Sequence, residues 1–311
     1  MDMDNNWNFG YVGSIFLGSD KQEIRALFDT GSANSWIIGV ESIAGKHNAD
    51  DFDAFDKSTS KTWKEPDHKQ TVKITFGSGN LTGYFGEDEV TLGDPDDEDN
   101  QMVVPGYQFG LVETQTCFTG SFDAIIGLAY PTMAEKGIRP FFDTLIDNHA
   151  LFNDHHKPAN IFSFYMSTNP TDQSELIFGG WDNTRIKKGH KIDWHPVIDK
   201  LFWSIKLDDI KVGGESLGIC GPDKACMMTP DSGTSQLTMP GWAKKIWNKT
   251  EWSKSYKCGP GGEQERPELT FVMNGKEYSI PSHHWNERSV KDANDLENGT
   301  CESTIGELTI H

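Results

Sequence analysis

No apolar run in these 311 residues approaches the length of a membrane span, so no such span is expected. Basic residues are scarce: 28 Lys and Arg stand against 47 Asp and Glu, a net charge of −19. That balance argues against a nucleic-acid partner, which requires a basic face. Its opening, MDMDNNWNFG, is polar and acidic where a secretory leader is cationic and then apolar. Neither a leader nor a propeptide is read in these residues. Only five cysteines occur, and none forms a CxxC pair. His155–His156 and His283–His284 come without HExxH or comparable spacing and read as surface residues. Neither a metal nor a cofactor is expected.

Long helical periodicities are also rare. Short apolar alternations punctuated by Gly, Pro, Asn and Asp fill the chain instead. QTVKITFGSGNLTGYFGEDEVTLG, WSIKLDDIKVGG and PELTFVMNGKEYSI are examples, the last turning at MNGK. This is the pattern of an all-β protein with hairpins closed by Gly-rich turns. The best helix candidates are 139–152 and 240–250, each opened by Pro. The like-charge run 94–100 reads as an exposed loop. A strand gives way to STNPTDQ at 167–173, which suggests two domains, 1–168 and 169–311.

The residue types that carry chemistry appear twice. In ALFDTGSANSW, residues 26–36, an apolar strand runs straight into Asp29, followed by Thr30, Gly31 and Ser32. A carboxylate leaving such a strand is costly to desolvate unless hydroxyls and backbone N–H groups hold it. MTPDSGTSQLTMP, residues 228–240, repeats the arrangement around Asp231, Gly233 and Thr234. One copy of Asp-[Ser/Thr]-Gly-[Ser/Thr] arises by accident in such a chain with a chance of roughly a few per cent. Two copies, one per half, suit two related lobes that each offer a carboxylate to a shared cleft. Cys220 and Cys226 bracket a short polar loop, Cys258 and Cys301 bound a second segment, and Cys117 is left over. Four paired cysteines would mean an oxidising compartment; the alternative is five reduced thiols. Sequons at Asn80, Asn248 and Asn298 are compatible with a secretory route.

The motifs resemble those of the pepsin-like aspartic proteases, and collinearly so over residues 9–308. FGYVGSIFLGSDKQEIRALFDTGSANSWI is similar to the family's amino-terminal strands and first catalytic loop, and ITFGSGNLTG, 74–83, to its flap hairpin. YQFGLVE and FDAIIGLAYP match the end of the first half's core motif, and FWSIKLDDIKVGG with PDSGTS matches the second lobe. The resemblance implies a bilobal all-β fold with a central cleft for an extended peptide or protein substrate. It implies an endopeptidase of a lysosomal, vacuolar or secreted setting. Asp29 and Asp231 would be the catalytic pair. Ser32 and Thr234 would bond the outer carboxylate oxygens, with Gly31 and Gly233 offering backbone N–H groups. Two carboxylates held close share one proton, and aspartic proteases are the standing example of that effect. The flap would carry Phe76, Gly77 and Ser78, with Trp36 beneath. Leu27, Phe109, Phe122, Ile125 and Phe202 match substrate-pocket walls, with ordinary core packing as the alternative. The implied disulfides are Cys220–Cys226 and Cys258–Cys301.

Three departures qualify the resemblance. Phe76 stands where the family carries Tyr, losing a hydroxyl bond of about 0.5–1.5 kcal/mol. Pro230 precedes Asp231 where an aliphatic residue is usual, so the second carboxylate is expected to be aimed differently, and Thr229 replaces an apolar residue. The second half ends at GELTIH, with no counterpart of Ile125-Ile126-Gly127. A fragment, a remodelled lobe, or a separate chain completing that lobe would each account for this. A catalytically impaired protein of the same fold, acting as a binding or structural subunit, is accordingly the rival to the peptidase.

Overall fold

The structure is a computed structural model that describes residues 1–6, 10–44, 49–76, 79–97, 101–116, 121–152, 159–169, 171–221, 224–257, 267–289 and 300–308. It is built of strands, as the alternations require. Contacts divide the chain into two compact units. The first comprises Met1–Asp193, Lys200–Trp203 and Pro230–Gly233; the second comprises Trp194–Asp199, Ser204–Thr229 and Thr234–His311. This division does not follow the expected boundary at 168/169, because strand pairing holds the chain beyond that point in the first unit.

The first unit contains β1 (Asp2–Asn6), β2 (Gly10–Leu17), β3 (Gln22–Asp29), β4 (Trp36–Ile38), β5 (Val72–Phe76), β6 (Gly79–Leu92), β7 (Met102–Gln115), β8 (Ala124–Gly127), β9 (Phe162–Tyr165) and β10 (Ser174–Phe178). They form one sheet in the order β5-β6-β7-β4-β8-β3-β2-β1-β10-β9. β1 pairs with β10 at Asp2↔Glu175, which ties residues past 168 to the first unit. In β3, Ile24, Ala26 and Phe28 alternate into the core at 1% exposure or less, while Leu27 on the opposite face is 8% exposed. A strand covered on both faces reads as a nearly continuous apolar run, as ALF does here. Burying Phe28 alone contributes about 2–3 kcal/mol.

β8 is the strand that shapes the site. It lies parallel to β3, with Leu27↔Ile125 and Asp29↔Gly127, and antiparallel to β4, with Trp36↔Ile125. Asp123, fully buried just before it, is gripped by Arg25 through Nε to Oδ2 at 2.7 Å and Nη2 to Oδ1 at 2.8 Å. Burial pushes the Asp123 carboxyl up, and the Arg25 guanidinium opposes that. Gly127 has to be glycine, because a Cβ there would meet the Ala33 carbonyl carbon at 2.5 Å. The end of β8 is thereby packed tightly against the turn that follows Asp29.

α1 (Val40–Ile43) and α2 (Phe141–Asp147) complete this unit. α2 begins after Pro140 and occupies the middle of the expected 139–152 segment. The second unit contains β11 (Val197–Asp199), β12 (Ser204–Val212), β13 (Glu215–Ser216), β14 (Cys226–Met228), β15 (Leu237–Pro240), β16 (Tyr256–Lys257), β17 (Leu269–Met273), β18 (Lys276–Ile280), β19 (Asn286–Ser289), β20 (Thr300–Ser303) and β21 (Ile305–Leu308). α3 (Gly241–Trp247) follows Pro240, within the expected 240–250 segment. β12 is central, paired with β11, β13, β14 and β17, and its core includes Leu207, Ile210, Trp247 and Trp285. β17 and β18 turn at Asn274 and Gly275, both at positive φ (48° and 77°), as the Asn-Gly pair demands. Among the described residues, β15 pairs with β21 in parallel, and no helix is long and apolar enough to cross a membrane.

Candidate active site

Asp29 is the last residue of β3, so the strand that buries Phe28 also delivers the carboxylate. The turn behind it supplies two hydrogen bonds to that carboxylate. Gly31 N–H donates to Asp29 Oδ1 at 2.8 Å, and Ser32 Oγ donates to Oδ2 at 2.5 Å. Leu128 N–H bonds the Asp29 carbonyl at 2.8 Å and Ala129 N–H the Ser32 carbonyl at 2.9 Å, fastening the turn to the segment after β8.

The segment Pro230–Gly233 belongs to the same compact unit and holds Asp231 in a matching loop, where Gly233 N–H donates to Oδ1 at 2.9 Å. The two loops grip each other through their middle hydroxyls. Thr30 N–H donates to Ser232 Oγ and Ser232 N–H donates to Thr30 Oγ1, each at 3.0 Å. Thr30 Oγ1 donates to the Pro230 carbonyl at 2.9 Å, and Ser232 Oγ donates to the Phe28 carbonyl at 2.6 Å. This near-symmetric clasp explains why proline is tolerated at 230. β14 ends at Met228, so Pro230 lies outside the ladder and contributes only its carbonyl. At Gly233, Asp231 makes the same backbone bond that Asp29 makes at Gly31.

The glycines have a second duty. A Cβ on Gly31 would lie 2.4 Å from Asp231 Oδ2, and one on Gly233 would lie 2.4 Å from Asp29 Oδ1. Each carboxyl thus occupies the space that the opposite glycine leaves empty. The electrostatics follow from this proximity. Burial, and then the Asp231 carboxylate, push Asp29 up to about 6, against the bonds from Ser32 and Gly31 that hold it down.

The remaining expected site residues fall into distinct groups. Leu27, Ile125 and Trp36 are in register across β3, β8 and β4, on the face that carries Asp29 two residues beyond Leu27. Trp36 packs on Phe85 at 5.1 Å between centroids, and Phe122 is half-buried against the same cluster. Phe202 is half-buried on the segment 200–203, which is anchored by Trp203 Nε1 donating to the Leu128 carbonyl at 2.9 Å. Phe109 departs from expectation. It is fully buried among Phe55, Trp63 and Tyr107, so its ring serves the core rather than a pocket wall. Thr234 is exposed and begins the next stretch of the second unit. Thr229 shares a hydrogen bond with Ser204 at 3.2 Å, a polar use of its hydroxyl.

β5 and β6 make the expected hairpin, with Phe76 opposite Gly79. Gly77 and Ser78 lie outside the described residues, as do Cys117 and His155–His156. Cys220 and Cys226 form a disulfide. Cys301 is also disulfide-bonded, and Cys258 lies outside the described residues. Sequence reasoning missed Thr30 and Ser232. Their signal was present, a hydroxyl in the middle of both Asp-[Thr/Ser]-Gly copies, but only the pairing of the loops gives those hydroxyls a use.

The chain matches the eukaryotic aspartyl protease family over residues 10–309. It is 32% identical over 280 residues to gastricsin of Callithrix jacchus, covering 87% of this chain and 67% of that protein. Pepsin A of Gallus gallus is 32% identical over 287 residues, covering 90% of this chain and 71% of its own length. Cathepsin E of Cavia porcellus is 32% identical over 284 residues, with 89% and 67% covered.

Proposed function

The chain belongs to the eukaryotic aspartyl protease family, and from that premise we propose that Asp29 and Asp231 are its catalytic pair, hydrolysing peptide bonds in protein or peptide substrates. The observation that carries this reading is the clasp between Thr30 and Ser232, with each aspartate seated against the opposite glycine. One carboxylate of the pair takes a proton from a water held between them, and the protonated partner donates to the scissile carbonyl oxygen. Water oxygen bonds to the carbonyl carbon, giving a tetrahedral diol. The carbon–nitrogen bond then breaks as the departing amine gains a proton from the pair. The proton belongs to the dyad as a unit, and the chemistry needs no metal, cofactor or covalent enzyme intermediate.

Residues 1–168 supply the first aspartate and the hairpin that covers substrate, and residues 169–311 the second. Ser32 and Thr234 act as outer supports. Leu27, Ile125, Phe122 and Phe202 contact substrate side chains, and Trp36 lies beneath the hairpin. At position 76 the hairpin carries Phe, which offers no side-chain hydroxyl. The working setting is an acidic lysosomal, vacuolar or extracellular compartment. The Cys220–Cys226 disulfide supports an oxidising route, and a carboxyl titrating near 6 keeps its proton under mildly acidic conditions.

A peptide-cleavage assay at acidic pH, with and without a statine-type inhibitor that mimics the tetrahedral diol, tests this directly. Cleavage abolished by the inhibitor is expected. A folded chain that binds neither peptide nor inhibitor would remove the peptidase and leave the binding-subunit reading. Gly31→Ala and Gly233→Ala supply a sharper check, since each added methyl displaces the opposite carboxyl. Each is expected to lower kcat roughly a hundredfold with the circular dichroism spectrum unchanged. Full kcat in either variant would mean that the opposing aspartate is not needed where the structure puts it.

A further inference from the structure

The sequon Asn80-Leu81-Thr82 lies on β6, in the hairpin that β5 and β6 form. Strand alternation puts Asn80 and Thr82 on one face and Leu81 on the other. Leu81 is 1% exposed, inside the cluster that holds Trp36 and Ile125. The opposite face therefore points away from that core, where Asn80 is exposed and Thr82 half-buried. Asn80 N–H donates to Thr116 Oγ1 at 3.0 Å, and its carbonyl accepts Thr116 N–H at 2.9 Å. A group attached to the side-chain nitrogen leaves both the ladder and the core intact. Of the other sequons, Asn298 lies outside the described residues, and Asn248 is the exposed residue that ends α3 in the second unit.

We propose that Asn80 carries an N-linked glycan, and that this glycan screens the hairpin against bulky substrates while admitting extended peptides. In the modification, Asn80 Nδ2 bonds to the anomeric carbon of an oligosaccharide carried on a lipid pyrophosphate. The bond from that carbon to the pyrophosphate oxygen breaks, and the amide proton leaves with the released lipid pyrophosphate. The product is a large hydrophilic group on the outer face of the hairpin, next to the pair Phe76–Gly79 that closes it. A single extended strand of substrate avoids such a group; a folded protein collides with it. The screening half of this inference rests on the peptidase reading, and the occupancy half does not.

The full chain, secreted from eukaryotic cells, provides the test. Treatment with a peptide N-glycosidase converts an occupied Asn to Asp, which mass spectrometry of the fragment containing Asn80 detects. Occupancy is expected in the native chain and in Thr82→Ser, and its loss in Thr82→Val. Endoglycosidase trimming of a chain carrying Asn248→Gln and Asn298→Gln then isolates the glycan at Asn80. Trimming is expected to raise kcat/KM severalfold for a folded protein substrate and to leave it unchanged for a short peptide. An unmodified Asn80 in the secreted native chain overturns the proposal. Equal rates on both substrates before and after trimming overturn the screening. An occupied Asn80 on a chain that cleaves neither substrate sinks the peptidase reading and the screening with it, while the modification stands.

Discussion

Asp29→Asn is expected to lower peptide cleavage roughly ten-thousandfold and, unusually for a catalytic substitution, to make the protein more stable at neutral pH. The loss follows from removing one member of an acid–base pair that acts as a unit. The gain follows from the burial and the like charge that push Asp29 up to about 6 from an ordinary 3.8. Between those two pH values the folded protein holds a proton that the unfolded chain has released. Folding is therefore undiminished below the ordinary value and loses stability as pH rises through about 6, by about 3 kcal/mol in all. Asparagine is neutral throughout and escapes the loss. Urea unfolding at pH 7 should show the variant ahead of the native protein by up to about 3 kcal/mol, the gap closing near pH 3. The alkaline limb of the native pH–rate profile should fall near 6 as the shared proton departs. A gap that is the same at both pH values would show that Asp29 is not held protonated by its surroundings.

Opening the clasp has the second largest expected effect. Thr30→Val keeps the side-chain shape but leaves Ser232 N–H and the Pro230 carbonyl without their partner. Ser232→Ala does the same to Thr30 N–H and the Phe28 carbonyl. Thr30 is 7% exposed, so water replaces those bonds poorly, and each variant should lose about 2–4 kcal/mol. The four bonds form one network. The double variant is therefore expected to lose less than the two single losses combined, with a coupling of about 1–2 kcal/mol in a double-mutant cycle. Cleavage should fall with stability only in part, because the clasp also fixes the distance between the carboxyls. Strict additivity of the two losses, or unaltered kcat in the double variant, would mean that the loops are positioned by something else.

The fold class was legible because it rests on local periodicity. Ile24, Ala26 and Phe28 alternate in the sequence as they alternate into the core, and Asn274-Gly275 dictates its own turn. Helices were harder to delimit: Pro140 and Pro240 mark where α2 and α3 start, but their ends depend on which residues find a core. Phe109 shows the limit of reading side chains singly. An aromatic in a β strand is equally suited to a pocket wall or a core, and here the rings of Phe55, Trp63 and Tyr107 enclose it. Pro230 shows the reverse. Proline is costly inside a ladder, yet this one lies beyond the end of β14, where only its carbonyl is called upon.

By itself the sequence determined that this is a β protein and that two Asp-[Thr/Ser]-Gly loops, some 200 residues apart in the chain, would present acids. Short-range chemistry suffices for that, since alternation, turns and a carboxylate's need for nearby donors are all written within a few residues. Only the tertiary structure decided that Thr30 meets Ser232, that each glycine makes room for the opposite acid, and that Asp29 is thereby pushed up to about 6. Those outcomes depend on groups that share no neighbourhood in the chain, and a carboxyl's proton affinity is set by what surrounds it in space.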